Sequence, residues 1–150
     1  MNQMRMVTEQ ATIINAEGLI LGRMASIIAK RLLNGETIIV VNAEKAVISG
    51  KKQSKVREAK DFLEVGHPRK GPFHYRRPDR IIRKTVRGML PYKQPKGKQA
   101  FKRLKVFIGI PDELRGLEMN TLEEATSKKL TCPHFTLAEF AKEIGWTSGE

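Results

Sequence analysis

The sequence predicts a single α/β domain, and three observations carry this prediction. A length of 150 residues and a mass of 17.0 kDa are the usual size of one compact domain. Residues 12–16, 21–33 and 37–42 have the patterns of a strand, a helix and a strand, which is the order of one βαβ unit. Residues 104–108 add another apolar, β-prone segment.

The elements of the βαβ unit are predicted from local pattern. Ala25, Ile28 and Leu32 fall on one face of the helix at 21–33, and Gly35 ends it because glycine tolerates the left-handed conformation beyond a helix. Residues 37–42 are continuously apolar and β-branched. Such a run is typical of a strand covered on both faces, as in a parallel sheet.

The remaining elements are less regular. Pro78 suits the first turn of a helix, where its missing N–H costs nothing. Residues 136–139 have a capping-box pattern and precede an apolar stripe, so we expect the tail, 112–150, to carry one docked helix. We expect residues 1–11 to form a flexible segment. Helices are predicted at 52–65, 78–90 and 98–103, with a basic loop at 69–78 and a linker at 91–96.

The charge of the chain is concentrated in its centre. The chain has 28 Lys and Arg against 16 Asp and Glu, which gives a net charge of +12 and a pI near 10.1. Residues 51–105 hold 19 of the bases and only 4 of the acids. A domain with this excess repels itself and usually has a polyanionic partner, so nucleic acid is the first candidate.

Other classes of protein lack support in the sequence. The longest apolar run, near 38–41, is far shorter than the about 20 residues of a membrane span, and residues 1–10 lack the apolar stretch of a secretory signal. The single cysteine, Cys132, is typical of an intracellular protein. The three histidines are scattered, and no acid–base pair or metal spacing is recognisable. We therefore expect that the protein is not an enzyme and has no catalytic residue. We also expect that it binds no metal, cofactor or small-molecule substrate and has no membrane partner.

The sharpest feature is a basic stripe on the helix near 79–90. Arg80, Arg83, Lys84 and Arg87 lie at i, i+3, i+4 and i+7, so they share one face while the other can pack on the sheet. Like charges at this spacing destabilise an isolated helix by roughly a few tenths of a kcal/mol per pair, which an anion would relieve. The alternative is an ordinary amphipathic helix with a solvated face.

The segment 69–103 is therefore predicted to bind nucleic acid. Phe73, His74 and Tyr75 are candidates for base stacking, or else they anchor their loop on the core. Gly88 permits the close approach of a backbone or marks a helix end. The predicted phosphate partners are Arg69, Lys70, Arg76, Arg77, Arg80, Arg83, Lys84, Arg87, Lys93, Lys96, Lys98, Lys102 and Arg103.

Several blocks of the chain match a known family. They include Leu-Gly-Arg-Met-Ala-Ser at 21–26, Val-Asn-Ala-Glu-Lys at 41–45, Ser-Gly-Lys-Lys at 49–52 and Gly-Met-Leu-Pro at 88–91. In this order the blocks resemble the universal family thirteen of large-subunit ribosomal proteins. The stretch at 70–76, Lys-Gly-Pro-Phe-His-Tyr-Arg, resembles the archaeal type.

The resemblance implies more than the composition does. It implies a three-layer α/β/α fold with a small, mainly parallel four-stranded sheet. It also implies a structural role in the cytoplasmic ribosome, with 23S-type ribosomal RNA and neighbouring large-subunit proteins as partners, early action in subunit assembly and no catalysis. From the family blocks, Arg23, Lys45, Lys51 and Lys52 become further candidates for RNA contact.

Two other functions stay open on the residues alone. A DNA-binding regulatory protein is the main alternative, although such proteins usually place Asn, Gln or Ser beside Arg on the recognition helix. The helix near 79–90 presents mainly Arg and Lys instead. An enzyme acting on RNA is the other possibility.

Overall fold

The computed structural model describes residues 10–147. The described chain contains five α-helices and five strands, joined by turns and short 3-10 segments. In chain order these are β1 (Thr12–Asn15), α1 (Leu21–Leu33), β2 (Ile38–Val41), β3 (Val47–Ser49), α2 (Lys52–Glu64), α3 (Pro78–Met89), α4 (Pro95–Lys102), β4 (Leu104–Val106), β5 (His134–Thr136) and α5 (Leu137–Glu143).

A small parallel sheet lies at the centre. Strand β2 lies between β1 and β4, with Ile38 opposite both Thr12 and Leu104. All four residues of β2 are buried, as expected for a strand covered on both faces. The predicted βαβ unit of β1, α1 and β2 is confirmed.

Helices α1, α3 and α4 pack on one face of this sheet. Ile14, Ile38 and Val40 point into a core that α1, α3 and α4 complete. Helix α3 contributes Ile82 and Val86, which are both fully buried. Full burial of such a side chain stabilises the fold by about 1.5–3 kcal/mol, so this apolar face fixes α3 on the scaffold.

The opposite face of the sheet is covered differently. Ile13, Ile39 and Val41 pack against Leu114 and other apolar residues of 107–119. That stretch contains only a short 3-10 turn at Asp112–Leu114. The described residues therefore do not confirm the second helical layer of the expected α/β/α arrangement.

The expected four-stranded sheet is also not confirmed. The parallel sheet of the described chain has three strands, and β3 pairs antiparallel with β5, with Ile48 opposite Phe135. Strand β3 stays tied to the scaffold because the Val47 N–H donates to the Leu19 carbonyl at 2.8 Å. Its pairing with β5 of the tail forms a separate two-stranded sheet.

The tail is part of the same core. The Asn120 N–H donates to the Ile13 carbonyl at 2.8 Å, which attaches the tail to the edge of β1. At the start of α5, Thr136 Oγ1 accepts the Glu139 N–H at 3.3 Å, the bond predicted by the capping-box pattern. Leu137 is fully buried. Residues 1–9, most of the segment expected to be flexible, lie outside the described residues.

Helix α4 begins earlier than the sequence pattern indicates. It starts at Pro95 rather than near residue 98, because proline at the first helical position needs no hydrogen-bond partner for its nitrogen. The linker between α3 and α4 is therefore short. This brings Tyr92 and Phe101 within 5.7 Å of each other between ring centroids, with their planes perpendicular.

Candidate nucleic-acid interface

Helix α3 separates apolar and basic residues between two faces. Ile82 and Val86 are buried on the scaffold side. Arg80, Arg83 and Arg87 are exposed on the other side, as the predicted stripe requires. The stripe thus rests on a helix that its own apolar face holds in place.

Each of these three arginines lies over an aromatic ring. The distances from guanidinium carbon to ring centroid are 5.7 Å for Arg80 over Tyr75, 4.9 Å for Arg83 over Phe101 and 4.1 Å for Arg87 over Tyr92. Such pairs are worth about 0.5–1 kcal/mol at exposed sites. Stacking restricts the guanidinium plane and leaves the N–H groups at its edge free to meet an anion.

The three rings come from three different parts of the chain. Tyr75 lies in the loop before α3, Tyr92 in the linker after it, and Phe101 in α4. Together they enclose a small basic cavity of about 180 Å³. Its walls are formed by Tyr75, Arg80, Arg83, Lys84, Arg87, Tyr92 and Phe101.

A close backbone approach holds the linker against α4. A Cβ atom at Gly97 would collide with the carbonyl group of Pro91 and would lie 2.9 Å from the Tyr92 nitrogen. Only glycine fits there without displacing backbone. The position of Tyr92 beside α4 therefore depends on Gly97. Neither Gly97 nor the ring partners Tyr92 and Phe101 were among the predicted site residues, and no local signal pairs those two rings with the arginines.

The three candidates for base stacking have different surroundings. Phe73 is 74% exposed. The Tyr75 ring is in contact with the guanidinium of Arg80. His74 is half-buried, with its Nδ1 3.5 Å from Lys84 Nζ and its ring edge-to-face with Phe62 at 5.6 Å.

The other predicted phosphate partners flank the stripe along the chain. In the loop before α3 and from the linker through α4, the exposed ones are Arg69, Lys70, Arg76, Arg77, Lys93, Lys96, Lys98 and Lys102. Arg77 has an acidic neighbour, with its Nε 3.3 Å from Asp79 Oδ1.

Arg103 differs from the other predicted partners. It is half-buried, and its Nη2 donates to the Leu32 carbonyl at 2.6 Å. Carbonyls in the last turn of a helix lack partners within that helix, and here Arg103 shares the Leu32 carbonyl with the Gly35 N–H, which donates to it at 3.1 Å. Within residues 10–147 its buried Nε has no hydrogen-bond partner. This guanidinium therefore supports the scaffold.

The candidates taken from the family blocks lie on other elements. Arg23 is exposed on α1, Lys45 on the turn after β2 and Lys51 just before α2. Lys52 is half-buried and lies 3.8 Å from the Glu143 carboxylate. The structure does not gather these four into the stripe of α3.

Other residues of those blocks hold loops together. Asn42 has a left-handed backbone, with φ of 57°, and its Nδ2 donates to Asn15 Oδ1 at 3.0 Å. Glu44 Oε2 accepts the Gly109 N–H at 2.9 Å. Asparagine tolerates this conformation better than most residues, which accounts for its place at the end of β2. Much of the motif at 41–45 therefore serves the scaffold.

The described residues include neither a group of metal-ligating side chains nor a membrane-spanning helix. Between residues 10 and 147, no three His, Cys, Asp or Glu side chains are grouped so that they could hold a metal ion. In the same range, no helix has the length and apolar character needed to cross a bilayer.

Comparisons with known proteins agree with the resemblance noted in the sequence. The family described as ribosomal protein L13 matches residues 9–113. The large ribosomal subunit protein uL13 of Archaeoglobus fulgidus is 50% identical over 137 residues, covering 90% of this chain and 88% of that protein. The uL13 proteins of Methanocaldococcus jannaschii and Methanosarcina barkeri are 50% and 46% identical, each covering 89% of this chain and 97% of their own length. The chain therefore belongs to the ribosomal protein L13 family.

Proposed function

We propose that this protein binds 23S-type ribosomal RNA through the exposed face of α3 and supports early assembly of the large subunit. One observation carries the proposal: Arg80, Arg83 and Arg87 are each stacked on a ring and face away from the core. The family consists of structural, non-enzymatic proteins of the large ribosomal subunit, in agreement with the expectation that the chain is not an enzyme.

The chemistry of the site favours phosphate over base edges. The major groove of an A-form helix is too deep and narrow for side chains, so folded RNA is bound mainly through phosphates, 2′-hydroxyls and shape. Guanidinium groups bind phosphate through two parallel N–H donors, and ring stacking sets their planes in advance. The exposed lysines of the flanking loops would add less directional contacts along the same backbone.

Because phosphate contacts release counterions, affinity should depend steeply on salt. If about 6–10 phosphates are neutralised, log K should fall with log salt with a slope of roughly −5 to −9. Changing Arg80, Arg83 and Arg87 together to glutamine should make the slope shallower by about 2–3, since about one unit is lost per phosphate contact. Filter binding to 23S-type rRNA at several salt concentrations measures this.

A charge-matched variant separates the site from net charge. Lys30, Lys128 and Lys129 are exposed bases outside the predicted interface, and their triple glutamine variant should keep the wild-type slope. A wild-type slope shallower than −2, or equal losses in both triple variants, would contradict the proposal. Competition by duplex DNA at one salt concentration tests the DNA-binding alternative, and RNA should compete far better.

A further inference from the structure

A second cavity opens beside the arginine stripe. It has a volume of about 420 Å³ and lies between α2, α3, α5 and the loop before α3. This volume falls within the range of about 300–1,000 Å³ seen for pockets that hold small ligands. The basic stripe of α3 does not require this cavity, and the family blocks do not include most of its walls.

The walls of the cavity are mainly apolar and aromatic. Ala59, Phe62 and Leu63 come from α2, and Phe140 and Ile144 from the carboxyl end. Phe62 is 65% exposed although its ring borders the cavity. Its ring meets the edge of one other ring, that of His74 at 5.6 Å, which leaves much of its surface open beside the apolar cavity.

The cavity and the basic site share a boundary. Lys84 and Tyr75 line both the apolar cavity and the small cavity among the arginines. A group that enters the apolar cavity would therefore have a cation at its mouth. The nucleotides of a bound RNA combine these properties, because each joins an aromatic base to a phosphate.

One buried polar atom also lacks a partner here. His74 lines the cavity, and its buried Nε2 has no hydrogen-bond partner within residues 10–147. A buried donor left unpaired costs about 1–3 kcal/mol. This nitrogen has almost no surface open to the cavity, so a base there would meet the faces of the rings and not this atom.

We propose that the cavity receives one unpaired nucleobase of the bound RNA, which stacks on Phe62 while Lys84 contacts its phosphate. This inference rests on the proposed RNA binding through α3. Exposed bases in bulges and loops are the usual targets of aromatic side chains in RNA-binding proteins. The arginine stripe would supply most of the affinity, and the cavity a preference for an RNA with an unstacked base at this point.

The test uses two RNA hairpins of equal charge. One carries a single-nucleotide bulge of 2-aminopurine, and the other carries an abasic site at the same position. The wild-type protein should bind the first RNA about 5- to 10-fold more tightly, at the low end of measured base–aromatic stacking. The 2-aminopurine fluorescence should change on binding, because stacking on Phe62 alters its emission.

Three variants test whether Phe62 is the residue on which the base stacks. Phe62→Ala should bind both hairpins equally, with the salt slope of the wild type, and Phe62→Tyr should restore the preference. Val65→Ala is the matched control, because Val65 is 62% exposed just beyond α2 and does not line the cavity. It should leave the preference intact. Urea unfolding of each variant checks that the fold persists.

The outcomes separate this inference from the proposed function. Equal wild-type affinity for both hairpins, with a steep salt slope, overturns the base pocket and leaves RNA binding by α3 in place. Equal loss of affinity for both hairpins in Phe62→Ala also overturns it. Failure to bind either hairpin overturns the base pocket, whereas failure to bind 23S-type rRNA in filter binding overturns both proposals together.

Discussion

Replacing Gly88 with alanine should make the free protein more stable and its RNA complex weaker. Gly88 is exposed near the end of α3, and a Cβ atom built there has no neighbour within 4 Å. It lines a groove of about 550 Å³ together with Lys84, Arg87 and Tyr92. In the free protein the added methyl therefore meets only solvent.

The two effects differ in origin and in sign. In a helix, alanine is favoured over glycine by about 0.5–1 kcal/mol, because glycine loses more backbone entropy on folding. For a chain of this size, that corresponds to a rise in Tm of about 1–4 °C. If an RNA backbone meets the helix at Gly88, the methyl displaces it. Loss of one charged hydrogen bond costs about 1.5–3 kcal/mol, which weakens binding about tenfold or more.

Gly22→Ala is the matched control. Gly22 is exposed in α1, and a Cβ atom there also has no neighbour within 4 Å. Both variants should show a raised urea midpoint, but only Gly88→Ala should lose affinity for 23S-type rRNA in filter binding. Unchanged affinity in Gly88→Ala would refute the close approach. A lowered urea midpoint would refute the claim that the space around Gly88 is empty.

Three further substitutions test the scaffold that positions the site. Gly97→Ala should lower the free energy of unfolding by about 1–3 kcal/mol, because its Cβ meets backbone at Pro91, and circular dichroism during urea unfolding measures this. Arg103→Met should destabilise the protein by about 1–3 kcal/mol and leave the RNA salt slope unchanged, whereas a shallower slope would mean that Arg103 contacts phosphate. Ile82→Ala should cost about 2–5 kcal/mol, and a loss below 1 kcal/mol would show that α3 is not packed as described.

Elements with a strong local pattern could be predicted from the sequence. The helix predicted at 21–33 is observed as Leu21–Leu33, and the helix predicted at 52–65 as Lys52–Glu64. Strand β5 was missed, because three residues carry too little periodicity to be recognised. Its pairing with β3 joins residues almost ninety positions apart in the chain, as Val47 opposite Thr136 shows. Such a pairing is decided by tertiary packing, which local sequence patterns do not reveal.

In the candidate site, too, features with a local pattern could be predicted, whereas contacts between distant parts of the chain could not. Helical spacing alone was enough to place Arg80, Arg83, Lys84 and Arg87 on one exposed face. The ring beneath each arginine could not be predicted, because the spacing of charged residues does not indicate which aromatic residues pack against them. Arg103 was predicted to bind phosphate, but its guanidinium donates to the Leu32 carbonyl, which lies 71 residues earlier in the chain. A basic residue in a basic segment is not automatically available to an anion.

Rings rather than acids beneath the stripe suit the phosphate binding that we propose for it. An arginine paired with a carboxylate is held in place, but much of its charge is cancelled and its N–H donors are occupied. A ring orients the guanidinium through its face and leaves both the charge and the donors available. In the described chain, the ion pairs within segment 69–103 are limited to Arg77 with Asp79, at the start of α3. The arginines of the stripe therefore still repel one another in the free protein, and the buried apolar face of α3 offsets this cost. A bound polyanion would remove the repulsion, and its removal would favour binding.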